Sequence, residues 1–156
     1  MIRPPGREDR GPLRDLVVAT GMFTEDEVEI ALELIDAVLN NPEQKDYIIR
    51  VYEDEGRAVG YYCVGPTPAT DGTFDLYWVA VDPSLQGRGI GRALDDHACA
   101  LIRGMSGRLV IAETSSLPRY APTREFYRRR GYSEVAKITD YYRPGDDLVV
   151  YGKYLK

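Results

Sequence analysis

The stretch that most constrains this chain is Val79 to Gly91, VAVDPSLQGRGIG. The apolar run from Leu76 to Val81 reads as a buried strand, and it stops at Asp82-Pro83. A loop with glycines at 87, 89 and 91 follows, and from Ile90 the apolar spacing becomes helical. A strand that feeds a glycine-spaced turn opening a helix is a place to hold a phosphate. Glycine lets the backbone approach a ligand, and a helix start offers unpaired N–H groups and a partial positive charge.

Two common phosphate motifs fail on particular residues. A P-loop needs Lys and then Ser or Thr after its last glycine, and Arg92-Ala93 stand there. The dinucleotide pattern G-x-G-x-x-G puts its third glycine at Arg92 when counted from Gly87, and at Leu94 when counted from Gly89. What remains is Gln-x-x-Gly-x-Gly between an apolar strand and an amphipathic helix.

The rest of the chain supplies alternating helices and strands. Ile2-Arg3 is extended before two prolines. Arg7 to Thr20 reads as a helix stopped by Gly21, and Thr24 with Glu27 forms a capping box for a helix ending near Asn40. Tyr47–Tyr52, Ala58–Val64 and Thr73–Val81 are strand-like, rich in Val, Ile and Tyr, and suggest an antiparallel meander, with Asp71-Gly72 as a hairpin signal. Ile90 to Met105 is helical, with Ile90, Leu94, Leu101 and Met105 on one face. Leu109–Ala112 is a short strand, which a right-handed crossover makes parallel to the Val79 strand. Pro122–Arg130 is a helix ended by Gly131, and Tyr132–Ile138 and Leu148–Leu155 are strands joined through Pro144-Gly145-Asp146. The expected order is β-α-α-β-β-β-α-β-α-β-β, a mixed α/β fold in a single domain over residues 1–156.

Charge and composition remove several function classes. A net charge of −5 argues against a nucleic-acid-binding module and mildly favours cationic substrates. No apolar run approaches the ~20 residues of a membrane span, and MIRPPGREDRG is not a signal peptide, so a cytoplasmic protein is expected. Cys63 and Cys99 lack metal or redox spacing and read as small buried residues; no metal is expected. His97 lies on the stripe with Ile90 and Leu94, and reads as a satisfied boundary histidine rather than a catalytic one.

The phrase Gln86-Gly87-Arg88-Gly89-Ile90-Gly91 resembles the acyl-coenzyme A signature of the GNAT superfamily of N-acetyltransferases. Phe126-Tyr127 with Gly131-Tyr132 resembles that superfamily's second motif, and the element order matches over nearly the whole chain. The resemblance implies acetyl-CoA as acyl donor. The backbone of Gln86, Gly87, Arg88, Gly89, Ile90 and Gly91 would wrap the pyrophosphate, with Arg88 and Arg92 as candidates for the outer phosphates. The strand Val79, Ala80, Val81 would pair with the pantetheine arm, and a backbone N–H there would hold the carbonyl oxygen as charge develops. Tyr127 is the candidate acid for the leaving thiolate. Glu113, at the end of the Leu109 strand, is the candidate base, with Asp75 or a water-mediated route as rivals.

The acceptor side is thinner in the sequence. Tyr120, Tyr141 and Tyr142 with Asp140, Asp146 and Asp147 would suit an ammonium group, and Thr114, Ser115 and Ser116 could touch cofactor or substrate. The reading is a small-molecule amine or amino-acid-like acceptor and direct transfer in a ternary complex. Alternatives are a peptide or protein N-terminal amine, or a non-catalytic coenzyme A sensor, for which Tyr127 would have no use. Homodimerisation is left open.

Overall fold

Helix signals near the N-terminus are realised residue by residue. The computed structural model describes residues 1–156. After β1 (Ile2–Arg3) and a short 3₁₀ turn comes α1 (Arg10–Thr20), closed by Gly21 in the left-handed conformation at φ 67°. The capping box forms as expected: Thr24 Oγ1 accepts from Glu27 N–H at 3.2 Å, and Glu27 Oε1 accepts from Thr24 N–H at 3.0 Å. Behind it runs α2 (Glu25–Asn40), burying Ala31 and Ile35.

Then follow β2 (Ile48–Asp54), β3 (Arg57–Pro66), β4 (Thr73–Val81), α3 (Ile90–Gly104), β5 (Leu109–Ser115), α4 (Ala121–Arg129), β6 (Ser133–Arg143) and β7 (Asp146–Tyr154). The order is the one expected. The seven strands form one sheet in the sequence β1-β2-β3-β4-β5-β7-β6, antiparallel except where β4 meets β5. Helix α3 makes the parallel crossover. β3 is buried over eight consecutive residues because both faces are covered. On one face α1 and α2 pack with Ile49, Val51, Tyr61, Cys63 and Ala80; on the other α3 and α4 pack with Val59, Tyr62, Leu76, Val110 and Tyr151.

Three local expectations change. The buried stripe of α3 is Ile90, Leu94, Ala98 and Ile102, with Leu101 half-buried at its margin, while Met105 is 47% exposed beyond the helix end. Asp71-Gly72 is not a two-residue hairpin turn, because Thr67 N–H bonds Thr73 C=O across a longer loop, and Gly72 C=O instead accepts from Arg108 and Leu109. β6 continues to Arg143 through a bulge at Asp140 (φ 55°), where Asp140 N–H donates to Asp147 Oδ1 and Asp140 Oδ1 accepts from Gly145 N–H.

A buried charge cluster fastens α3 to the elements that follow it. Asp95 is fully buried; Tyr132 Oη donates to it at 2.8 Å, and Arg130 Nε and Lys153 Nζ lie 3.3 and 3.5 Å away. Removing one partner of a buried ion pair leaves charge without compensation. Asp95→Ala is therefore expected to cost about 3–5 kcal/mol of stability in a urea or thermal melt. A loss under 1 kcal/mol would show that the cluster is not holding these elements together.

Candidate active site

The site begins with a fault in β4. Trp78 pairs with Cys63 and Leu76 with Val64, so Tyr77 is an extra residue in β4. The bulge reverses the strand's alternation, so Leu76, Val79 and Val81 all face the α3 side. Pairing between β4 and β5 covers only Thr73–Asp75 with Leu109–Ile111. Past that point β4 has no partner on its β5 side, and a gap opens between Tyr77–Val81 and Glu113–Ser115.

Two cavities meet at this gap. One, of about 570 Å³, runs along the loop after β4 and is lined by Gln86, Gly87, Gly89, Gly91, Arg92 and residues of α4. The other, of about 430 Å³, lies between the α1–α2 connection, β5 and the β6–β7 hairpin. Val79, Val81, Gln86, Thr123 and Tyr127 line both.

The loop has the chemistry of an anion site. Gly87 and Gly89 adopt φ of 82° and 83°, where a side chain would be strained. At Gly91 a Cβ would come within 3.1 Å of the Phe126 ring, so glycine lets α3 approach α4. The N–H groups of Gly89, Ile90, Gly91 and Arg92 find no acceptor in the chain; the first helical bond runs from Ala93 to Gly89. Arg92, Arg129 and Arg130 line this cavity as well, Arg92 and Arg129 in exposed ion pairs with Asp96 and Glu125, and Arg130 paired with Asp95 and Asp96. These donors and cations fit a phosphorylated donor such as acetyl-CoA. Arg88 is exposed and lines neither cavity, whereas Ile90, though buried, lines the first. Ala80 lines the second cavity while packing on the α1 side.

Tyr127 stands where the cavities join. Its ring packs 5.3 Å from Tyr132 and 5.7 Å from Tyr151, and its hydroxyl makes no hydrogen bond within the chain. Burial, and then the charge of Asp95, push its phenol well above the usual range, so it stays protonated. Glu113 lines the second cavity without a hydrogen-bond or ion-pair partner. Its carboxyl is raised above the ordinary carboxylate range by partial desolvation and then by Asp75. Asp75 lines neither cavity and accepts a hydrogen bond from Thr67 Oγ1 at 2.9 Å.

Of the acceptor candidates, Tyr120, Tyr142, Asp146, Thr114 and Ser115 line the second cavity; Tyr141, Asp140, Asp147 and Ser116 do not. Asp146 is buried, hydrogen-bonded by Ser115 Oγ and by Arg143 Nη1 at 2.7 Å. His97 shares a 2.9 Å hydrogen bond through Nδ1 with Tyr62 Oη, away from both cavities, and both cysteines are buried free thiols.

The motifs pass over several lining residues. Thr123 and Phe126 join the loop-side cavity from α4, and Thr123 shares a face with Tyr127 by i,i+4 spacing, a signal readable in the sequence. Met22, Phe23 and Trp78 line the second cavity. Two apolar residues directly after a helix-ending glycine are a weak hint of a covering loop. Nothing local marks Trp78, whose orientation depends on the bulge.

Comparison with known proteins follows this geometry. Residues 45–134 match the sequence model of the Acetyltransferase (GNAT) domain. A GNAT-family protein from Desulfovibrio desulfuricans has a solved structure 41% identical in sequence, covering 99% of this chain and 98% of its own, with a TM-score of 0.95. An aminoglycoside 6'-N-acetyltransferase complexed with coenzyme A is 18% identical over 99% of this chain and 96% of its own, with a TM-score of 0.77. The ribosomal-protein-S18-alanine N-acetyltransferase from Escherichia coli is 17% identical over 100% and 94%, with a TM-score of 0.78. No curated protein sequence matches. No helix is long and apolar enough to cross a membrane.

Proposed function

The chain belongs to the GNAT acetyltransferase family, and on that premise we propose that it transfers the acetyl group of acetyl-CoA directly to the primary amine of a small molecule. The observation that carries this reading is the meeting of the two cavities at Tyr127, between a glycine loop with free N–H groups and the unpartnered carboxylate of Glu113. Acetyl-CoA, when bound, supplies an activated thioester carbonyl.

The chain's residues then divide the work. N–H groups from Gly89 to Arg92, with Arg92, hold phosphate oxygens. The unpaired edge of β4 at Val79–Val81 offers main-chain hydrogen bonds to an extended arm, and an N–H there steadies the carbonyl oxygen as it gains charge. Glu113 takes the ammonium proton, since an alkyl ammonium of pKa about 10 cannot attack while protonated. Tyr127 gives its proton to the leaving sulfur.

The acceptor cavity favours a small amine over a protein terminus. Arg119 Nη2 donates to Gly21 C=O at 2.6 Å and Tyr120 Oη to Met22 C=O at 3.1 Å, joining the α1–α2 and β5–α4 connections across one side. Such a bridge would obstruct a polypeptide leaving on that side. A thermal shift tests the donor: at about 100 times its dissociation constant, acetyl-CoA is expected to add about 2.7 kcal/mol, several degrees in melting temperature. No shift at millimolar ligand would refute the donor assignment for this site.

A further inference from the structure

Two opposite charges with spare hydrogen-bonding capacity line the acceptor cavity. Glu113 is its one carboxylate without a partner; Asp146 is engaged by Ser115 and Arg143, and Glu27 by the N–H of Thr24. Arg143 is the only cationic side chain in the lining. Its Nη1 binds Asp146, while Nε and Nη2 have no partner in the chain and the side chain is 62% exposed. The rings of Phe23, Trp78 and Tyr142 line the same cavity, with Phe23 edge-on to Trp78 at 5.5 Å.

An ammonium suits Glu113, a carboxylate suits the free fork of Arg143, and an apolar side chain suits the rings. Resting on the small-amine reading above, we propose that the acceptor is a free α-amino acid with an apolar or aromatic side chain. Its ammonium proton passes to Glu113, the N–C bond forms at the thioester carbonyl, the nitrogen of that adduct gives up its second proton to solvent, and the C–S bond breaks. The sulfur takes its proton from Tyr127, which is restored when Glu113 releases its own through solvent.

The test uses apolar and aromatic α-amino acids, each with its amide and its decarboxylated amine. Thiol release reports turnover. The fluorescence of Trp78, the chain's one tryptophan, reports binding in the presence of coenzyme A. The free acid is expected to exceed both analogues about 10- to 100-fold in kcat/KM, the scale of one charge-assisted hydrogen-bonded pair. In Arg143→Gln combined with Asp146→Asn, which leaves no buried charge unpaired, that ratio should collapse towards one, with the loss in KM and in the fluorescence titration. Equal turnover of acid, amide and amine, or a ratio that survives the double variant, overturns the amino-acid proposal and leaves the small-amine reading standing. No turnover of any of them, despite an acetyl-CoA thermal shift, overturns the small-amine reading itself.

Discussion

Tyr127→Phe is expected to lower kcat by about 10²- to 10⁴-fold, the usual contribution of a positioned general acid, while acetyl-CoA still raises the melting temperature. The side chain lines both cavities, and its hydroxyl is not used by the fold. Loss of a hydroxyl without a protein partner costs little stability, so the apo melting temperature should barely move. Burial and Asp95 hold the phenol well above its usual range. The wild-type rate should therefore show no alkaline fall from this group across an ordinary assay range. Unchanged turnover in the variant would make Tyr127 a packing residue, its ring stacked among Phe126, Tyr132 and Tyr151.

Glu113→Gln is expected to cost a similar factor, about 10²- to 10⁴-fold near neutral pH, and to change the shape of the pH profile. The sign follows from the raised carboxyl. Only ionised Glu113 can take the ammonium proton, so wild-type kcat/KM should be low in acid and rise as pH passes its pKa. That rise lies above the ordinary carboxylate range, because desolvation and Asp75 both disfavour the charge. It should level off well below the amine's own pKa of about 10. In the variant only free amine can react, so the plateau should vanish and the rate should keep climbing towards that pKa. A profile identical to wild type would move proton removal to water. Asp75 would need to reach the substrate from outside both cavities.

The two sides of the site differ in how far they can be read before folding. Most of the donor side is contiguous: strand, glycine loop and helix start lie within Val79 to Arg92, and their roles depend on local backbone behaviour. Of the five residues shared by the two cavities, Val79, Val81 and Gln86 stand in that phrase and Tyr127 in the second motif. That locality has a limit. Arg88 sits between Gly87 and Gly89 in the loop, yet it is exposed and lines neither cavity.

Although the strand buried along its length is β3 rather than the Leu76–Val81 run, sequence alone determined the order of elements, the caps of the first two helices and the glycine loop between strand and helix. Each depends on residues within a few positions of one another: periodicity, a capping pair, or glycines where φ is positive. Only the tertiary structure decided the acceptor cavity, the Asp95 cluster and the length of β6. The cavity joins Phe23, Trp78, Glu113, Tyr120 and Arg143, residues far apart along the chain. They meet because one extra residue at Tyr77 reverses β4 and because pairing of β4 with β5 ends at Ile111 while β5 stays paired with β7 on its other edge through Ser115. Register is a relation between strands, and a one-residue slip changes which side chains share a face.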